Sequence, residues 1–274
     1  MEKENKNYLK YPCLLVHGMG FRDNKVVNYW GRIPRVLEKC GCRIYYGNQD
    51  SNASIEDNGG HLKNRIEQIV KETGCEKINV IAHSKGGLDM RYAISSLGAG
   101  RYVASLTTIS TPHHGSKTVD LLLKMPDILV RIAAKCTDIW VRILGDKTPD
   151  TYRIFQSFTT KNAEKFNENN PDDENVYYQS YAFVMKHPTS DIFYWFTNLV
   201  VSMVEGENDG FLTPEAVKWG EFQGIQRGNT RRGISHSDEV DLRRFRLTKK
   251  QGQGISDITD FYKDVVGKLK ERGL

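Results

Sequence analysis

The chain opens with apolar runs too short for helices, each followed by a polar or glycine-rich loop and then by a stretch of helical spacing. Tyr11 to Val16 reads as a strand, and His17-Gly18-Met19-Gly20 as a tight loop at its carboxyl end. A short helix is expected over 34–39, with Pro34 in its first turn and Gly41 beyond its end. Arg43 to Tyr46 reads as a second strand, followed by a polar loop through Asn52. In the helix expected next, Ser54 is the cap, with Asp57 three residues on; Leu62, Ile66, Ile69 and Val70 form the apolar stripe, and Gly74 is the stop. Ile78 to Ala82 is a short buried strand running into Ser84, and Leu88, Tyr92, Ile94 and Leu97 have the spacing of the helix after it. Val103 to Ile109 then reads as a fourth strand, closing in Ser110-Thr111-Pro112-His113-His114-Gly115. This alternation predicts an α/β class, a parallel sheet with helices on both faces, whose ligand site lies beyond the carboxyl ends of the strands. His17-Gly18, Ser84 and Thr111-Pro112 all fall there.

The alternation stops between about residues 116 and 172. Leu121/Leu122, Met125, Ile128/Leu129, Ile132/Ala133, Cys136, Ile139/Trp140 and Ile143/Leu144 recur at helical spacing, with Pro126 breaking the run and Gly145 ending it. The ordinary reading of such a stripe is the buried face of a core helix. Leu123, Val130 and Val141 lie off it, so the segment is apolar on more than one side. Two readings stay open, a mobile lid over the site and a static cover. Further on, Val176 to Phe183 alternates like a strand, and Leu199 to Val204 reads as a late strand ending in Glu205-Gly206-Glu207-Asn208-Asp209-Gly210-Phe211-Leu212. A short strand precedes the loop that holds His236, Ser237, Asp238 and Glu239. The last helix is capped by Ser256, carries Ile258, Phe261, Tyr262, Val265 and Leu269 on one side, and stops at Gly273. No repeat, low-complexity tract or linker divides the sequence, so residues 1–274 are expected to form a single domain with an insertion.

Composition narrows the classes without selecting one. At 274 residues, with 39% hydrophobic and 27% charged positions, the chain can bury a substantial core. No transmembrane segment is expected, because charges interrupt every apolar tract before about 18 clean positions accumulate. Met1 to Lys6 is polar and lacks the apolar core of a signal peptide, which implies a cytoplasmic location as the chain stands, or secretion if the sequence is a mature form. The five cysteines have neither a scaffold nor a zinc spacing and read as free or buried thiols. A net charge of +5 is mild, and the basic stretch Arg227, Arg231, Arg232, Arg243, Arg244, Arg246, Lys249, Lys250 lacks interleaved aromatics. That stretch reads as a solvated face, and no nucleic-acid partner is expected.

Ser84 lies in Ala82-His83-Ser84-Lys85-Gly86, on the turn between an apolar strand and a helix. A serine there projects its hydroxyl clear of the sheet, and small neighbours are needed because strand and helix leave the turn almost back to back. The pattern alone is weak, since most serines on turns are caps or solvated hydroxyls. A serine nucleophile needs an imidazole to take its proton and a carboxylate to orient that imidazole. Of the seven histidines, His83 adjoins the serine and would point away from it, and His17 buttresses the loop after the first strand. His113 and His114 precede the acid in sequence, and His61 and His187 lie in polar contexts without a matching motif. His236 remains as the base. Asp209 is the acid, with a plain turn-former as the competing reading of Asn208-Asp209-Gly210. The order Ser84, Asp209, His236 is that of an α/β hydrolase. The amides of Met19 and Lys85 are the expected oxyanion donors; the Lys85 side chain is then incidental, the competing reading being a cation beside the nucleophile that favours anionic substrates.

Four blocks extend the pattern: His17-Gly18-Met19-Gly20; Val80 to Tyr92, which contains Ser84; Val103 to Ser116, which contains Ser110-Thr111-Pro112-His113-His114-Gly115; and Asn208-Asp209-Gly210-Phe211-Leu212 with His236-Ser237-Asp238-Glu239. In this order they resemble the true bacterial lipases of the Pseudomonas and Burkholderia type, lipase family I. The resemblance implies an α/β hydrolase fold, a mainly parallel sheet flanked by helices, with a helical lid inserted at about 116–172. It implies acyl-ester hydrolysis by a triacylglycerol lipase or esterase with Ser84, Asp209 and His236 as its triad. The substrate would be a lipid or small ester, met at a lipid–water interface through the lid. It also implies a structural calcium ion near the histidine loop, although the chemistry itself requires no cofactor. Asp238 matches one family ligand of that ion, and Asp191 is the nearest candidate for the other. Ala82 in place of the usual glycine and a lysine in the elbow depart from the family pattern. The alternative is a non-catalytic lipid- or partner-binding protein on the same fold. A binding module has no need of the base or the acid, which favours the enzyme.

Overall fold

The computed structural model describes residues 9–23, 28–250 and 252–274; the polar stretch Met1 to Lys6 lies outside them. The expected alternation is present as β1 (Cys13–Val16), α1 (Ile33–Lys39), β2 (Ile44–Tyr46), α2 (Ile55–Thr73), β3 (Ile78–His83), α3 (Lys85–Ser95) and β4 (Val103–Ile109). Four helices then follow in succession: α4 (Lys117–Leu122), α5 (Asp127–Ile143), α6 (Thr151–Ser157) and α7 (Thr160–Asn169). The remainder is β5 (Tyr177–Phe183), α8 (Trp195–Val204), α9 (Pro214–Val217), β6 (Glu221–Gln226) and α10 (Ile258–Glu271). Among the described residues the strands pair in one six-stranded sheet, β2-β1-β3-β4-β5-β6, and every pairing is parallel.

The central strands read as near-continuous apolar runs because helices cover both of their faces. Cys13 and Leu15 of β1, Ile81 of β3 and Tyr181 of β5 pack with Ile33 and Leu37 of α1 and Phe261, Tyr262 and Val265 of α10. The alternate residues Leu14, Val16, Val80 and Leu106 pack with Leu62, Ile66 and Ile69 of α2 and with Met90 and Ile94 of α3. Each such side chain contributes about 1.5–3 kcal/mol on full burial. The strand order turns round at β1, with β2 on one side and β3 on the other. In open α/β sheets that switch point is where ligands bind, and the loops leaving β1 and β3 are His17-Gly18-Met19-Gly20 and the turn at Ser84.

Apart from the cap of α10, which is Asp257 and not Ser256, three elements depart from the sequence reading. Leu199 to Val204 belongs to helix α8, not to a late strand. Its valines favour a strand only where neighbours pair with them, and β-propensity yields to context. The last strand is β6, whose residues are half-exposed or exposed, so no apolar pattern marks it. The third departure is in α5. Pro126 starts that helix as expected, but the apolar stripe faces outward, with Ile128, Leu129, Ile132, Ile139, Trp140 and Ile143 at 50–73% exposure. Its buried positions are Val130, Ala134, Asp138 and Val141. The helix packs on α6 through this small-residue face, where Asp138 Oδ1 accepts the Thr151 amide at 2.9 Å.

The turn from β3 into α3 depends on close backbone approach. A Cβ on Gly86 would lie 2.5 Å from the His17 carbonyl oxygen, and one on Gly87 would lie 2.2 Å from Thr111 Oγ1. Gly86→Ala is therefore expected to cost about 1–3 kcal/mol, read as a lower urea midpoint at unchanged m-value. A midpoint equal to that of the wild type would contradict this packing.

Candidate active site

Ser84 follows β3 with φ 54° and ψ −133°, a conformation that costs a non-glycine residue about 1–3 kcal/mol. The surrounding backbone enforces it. The Ser84 amide donates to Ile109 O at 2.9 Å, and its carbonyl accepts from the Gly87 amide at 3.1 Å and from Thr111 Oγ1 at 2.7 Å. The hydroxyl does not cap α3 and makes no hydrogen bond among the described residues, so the cap reading fails. The glycine loop touches this turn, since a Cβ on Gly18 would lie 2.7 Å from Ser84 Cβ. His17, fully buried, holds that loop through ring nitrogens 2.9 Å from Gly18 O and 3.1 Å from Gln49 O, while Gly20 N donates to Asn52 Oδ1 at 3.1 Å. The amides of Met19 and Lys85 have no acceptor among the described residues.

The Lys85 side chain is incidental to the site and is turned to a buried partner, so the reading as a cation for anionic substrates falls away. It is buried, with Nζ 2.7 and 2.8 Å from the two oxygens of Asp89, to which Asn58 Nδ2 also donates at 2.8 Å. Burial pushes the Asp89 carboxyl up to about 6, against the pull of Lys85. A buried charge must find a partner, and Asp89 one helical turn away is that partner.

Asp209 and His236 come from separate loops and meet. His236 Nδ1 lies 2.8 Å from Asp209 Oδ2, and the His236 amide donates to Asp209 O at 2.8 Å. The other carboxylate oxygen, Oδ1, accepts the amides of Phe211 and Leu212, each at 2.8 Å. One oxygen thus makes the turn and the other pairs with the imidazole. Burial alone would raise its carboxyl, but the attraction and hydrogen bond of His236 and the two amides outweigh this and hold it below the usual range. With Nδ1 bonded to a carboxylate, Nε2 is the imidazole nitrogen that is left to accept a proton.

Three residues to which the sequence reading gave no role at the site lie behind His236. The His83 ring lies against that of His236, with centroids 4.4 Å apart. Its Nε2 is 3.0 Å from Glu239 Oε2 and its Nδ1 is 2.7 Å from Tyr29 Oη. Glu239 Oε2 in turn lies 3.9 Å from His236 Nδ1. Burial raises Glu239 well above the carboxylate range, helped by the charge of Asp209, and lowers His83 well below its ordinary value. Both are therefore favoured in their neutral forms, which leaves Asp209 as the ionised carboxylate beside the imidazole. His83, His236 and Glu239 each place a ligand atom within 4.8 Å of the others, yet these atoms are buried and already engaged by one another or by Asp209. Hydrogen bonding accounts for the cluster. Asp191 and Asp238 also meet, around the guanidinium of Arg243.

The neutral Glu239 has a measurable consequence. Its folded value is raised, so the stability it confers is full below its unfolded value of about 4.5 and is lost as pH rises toward the folded value. Glu239→Gln carries no proton to lose. Its stability relative to wild type is expected to rise between about pH 5 and pH 8 in urea titrations; a difference independent of pH would mean that Glu239 ionises as it does in water.

Comparison with known proteins agrees with this architecture. Residues 12–243, a span that contains Ser84, Asp209 and His236, match the model of the palmitoyl protein thioesterase family. Triacylglycerol lipase 2 of Saccharomyces cerevisiae is 29% identical over 272 residues, which span 92% of this chain and 77% of the relative. A triacylglycerol lipase of Pseudarthrobacter phenanthrenivorans is 31% identical over 178 residues, 59% of this chain and 54% of that relative. The crystal structure of Staphylococcus hyicus lipase shares the fold, with a TM-score of 0.67 at 19% identity over 99% of both chains. The chain has the α/β hydrolase fold and belongs to the palmitoyl protein thioesterase family.

Proposed function

We propose that this chain is a serine hydrolase that cleaves carboxylic esters of lipids through an acyl-enzyme on Ser84. The observation that carries the reading is the buried Asp209–His236 pair at 2.8 Å, whose imidazole lies 4.4 Å from the ring of His83, the residue before a strained serine whose hydroxyl has no structural use. Ser84 Oγ attacks the acyl carbon while His236 Nε2 takes its proton, and Asp209 stabilises the imidazolium. The developing oxyanion takes hydrogen bonds from the Met19 and Lys85 amides; a donor of this kind is worth about 10²–10³ in rate. Collapse expels the alcohol, which receives the proton from His236, and water repeats the sequence on the acyl-enzyme. A thioester carbonyl accepts the same attack, and membership of the thioesterase family makes acyl thioesters the second substrate class to assay.

The surface around the site supports a lipid substrate. Ile128, Ile132, Ile139, Trp140 and Ile143 on α5, with Phe193, Trp195, Phe196 and Met203 on and just before α8, are 50–81% exposed. Large apolar side chains clustered and exposed on one helix face in this way favour an interaction site. The end of α5 is tied to the glycine-loop side: Arg22 Nη1 donates to Gly145 O at 2.5 Å, and Asp146 accepts the amides of Ser51 and Asn52 at 2.9 and 2.7 Å. On the other side α4 packs on α8, which leads into the Asp209 turn, and Ser116 Oγ donates to Glu205 at 2.7 Å. In this reading the segment 116–172 is a lid inserted in a single domain and meets the lipid–water interface, in the manner of the Pseudomonas and Burkholderia lipases. Among the described residues no helix is long and apolar enough to cross a membrane.

Ser84→Ala and His236→Ala are each expected to lower kcat on p-nitrophenyl acyl esters by about 10⁴–10⁶-fold. A fluorophosphonate should label the wild type at Ser84, and full activity of Ser84→Ala would sink the assignment. Replacing Ile139 and Trp140 together by serine should reduce hydrolysis of emulsified triacylglycerol several-fold and leave that of soluble p-nitrophenyl acetate unchanged. Equal losses on both substrates would point to a static cover.

A further inference from the structure

The loop that carries His236 is anchored by an ion cluster, and its make-up departs from the calcium site that the sequence resemblance implies. Asp191 and Asp238 come together as two ligands of a cation would, and they are only 1% and 5% exposed. Between them lies Arg243, whose Nη2 donates to Asp191 Oδ2 and whose Nε is 3.2 Å from Asp238 Oδ1. Ser235 Oγ is 2.8 Å from Asp191 Oδ2 and 3.1 Å from Asp238 Oδ2. The Phe193 amide donates to Asp191 Oδ1 at 3.0 Å, and the nearby Ser190 carbonyl accepts from Arg232 Nε at 2.7 Å. Calcium takes roughly six to eight oxygens at about 2.3–2.6 Å. Here the carboxylate oxygens face N–H and O–H donors, and the neighbouring carbonyl is engaged by a second guanidinium. The donor set does not fit a calcium ion while Arg243 is in place.

We propose that Arg243 takes the place of a divalent cation in this chain, drawing Asp191 and Asp238 together and so holding the His236 loop without metal. The charges suit the role, since Arg243 and Arg232 together offset the two carboxylates, and the charge of Arg232 also acts on Asp238. The guanidinium is a fixed planar fork that reaches two carboxylates at once, which an ammonium cannot reproduce. The connection to the imidazole is short. Ser235 precedes His236, and the Asp238 amide donates to Ser235 O at 2.8 Å, so the bracket pins both sides of the base. Arg243 is a positioning residue. Its effect on rate rests on the reading of His236 as the base, whereas its effect on stability and on metal requirement does not.

The test compares wild type, Arg243→Ala and Arg243→Lys by thermal denaturation with EGTA or with excess calcium chloride, and by terbium luminescence. The wild-type Tm is expected to be the same in EGTA and in calcium, with no saturable terbium signal. Arg243→Ala leaves two buried carboxylates facing each other and should melt roughly 5–10 °C lower in EGTA, with calcium restoring much of the loss. Its kcat on p-nitrophenyl acetate should fall about 10-fold at little-changed KM and recover with calcium. Arg243→Lys should melt between the two. A wild type that loses Tm in EGTA and regains it with calcium would overturn the proposal. So would an Arg243→Ala protein as stable as wild type, or one whose loss calcium leaves untouched. If Arg243→Ala yields no folded protein, Arg243→Lys carries the same calcium comparison and decides in the same way. These melting and luminescence readouts stand apart from the hydrolase assignment, which Ser84→Ala tests separately.

Discussion

The backbone at Ser84 is the constraint around which this molecule is arranged. A serine with positive φ persists only where its surroundings leave no alternative, and here both neighbouring strands supply them. Ile109 at the end of β4 takes the Ser84 amide, and Thr111, two residues on, takes its carbonyl. From the other side the His17 and Val16 carbonyls at the end of β1 approach Gly86 so closely that a side chain there has no room. The turn at Ser84, the glycine loop and Thr111-Pro112 are consequently one packed unit. That unit exists because β3 lies between β1 and β4 in a parallel sheet whose strands all end on the same side.

Charge is distributed so that the site contains little of it. Lys85 and Asp89 neutralise each other inside α3, and Arg243 is bracketed by Asp191 and Asp238. Beside the imidazole, Asp209 is held ionised by hydrogen bonds, while Glu239, buried against His83, is pushed toward its neutral form. Two carboxylates this close in a low dielectric cannot both ionise without large cost. The division of states between Asp209 and Glu239 follows first from the attraction and hydrogen bond of His236, which Asp209 holds at 2.8 Å, and then from backbone amides. Asp209 receives two.

The apolar surface is what favours a lipid in the proposed reading. Helix α5 buries its small residues and turns its large ones outward, the reverse of a core helix. The end of α5 is tied to Arg22, just after the glycine loop, and the aromatic stretch at the start of α8 belongs to the helix that leads into the Asp209 turn. An arrangement of that sort is unfavourable in water alone and is relieved by a lipid or an interface.

Local chemistry is what the amino-acid order by itself determined. The glycines at 18, 86 and 87, the apolar runs of β1, β3 and β4, the cap at Ser54 and the break at Pro126 are short-range signals, and each is where the pattern placed it. Ser84, Asp209 and His236 stood out as candidates because each sits in a distinctive turn, and folding brings the last two into contact across 27 residues. Tertiary structure alone decided which way an apolar stripe faces, since periodicity reports that residues share a side and not what that side meets. It made Leu199–Val204 a helix, where valine propensity was ambiguous, and paired the polar edge strand β6, which carried no pattern at all. It also assigned partners to ions. Asp238 and Asp191 are 47 residues apart and were candidate metal ligands by resemblance alone, and Lys85 had no partner that spacing could name. Their counter-charges, Arg243 and Asp89, could be recognised only once burial had removed water as the competing partner.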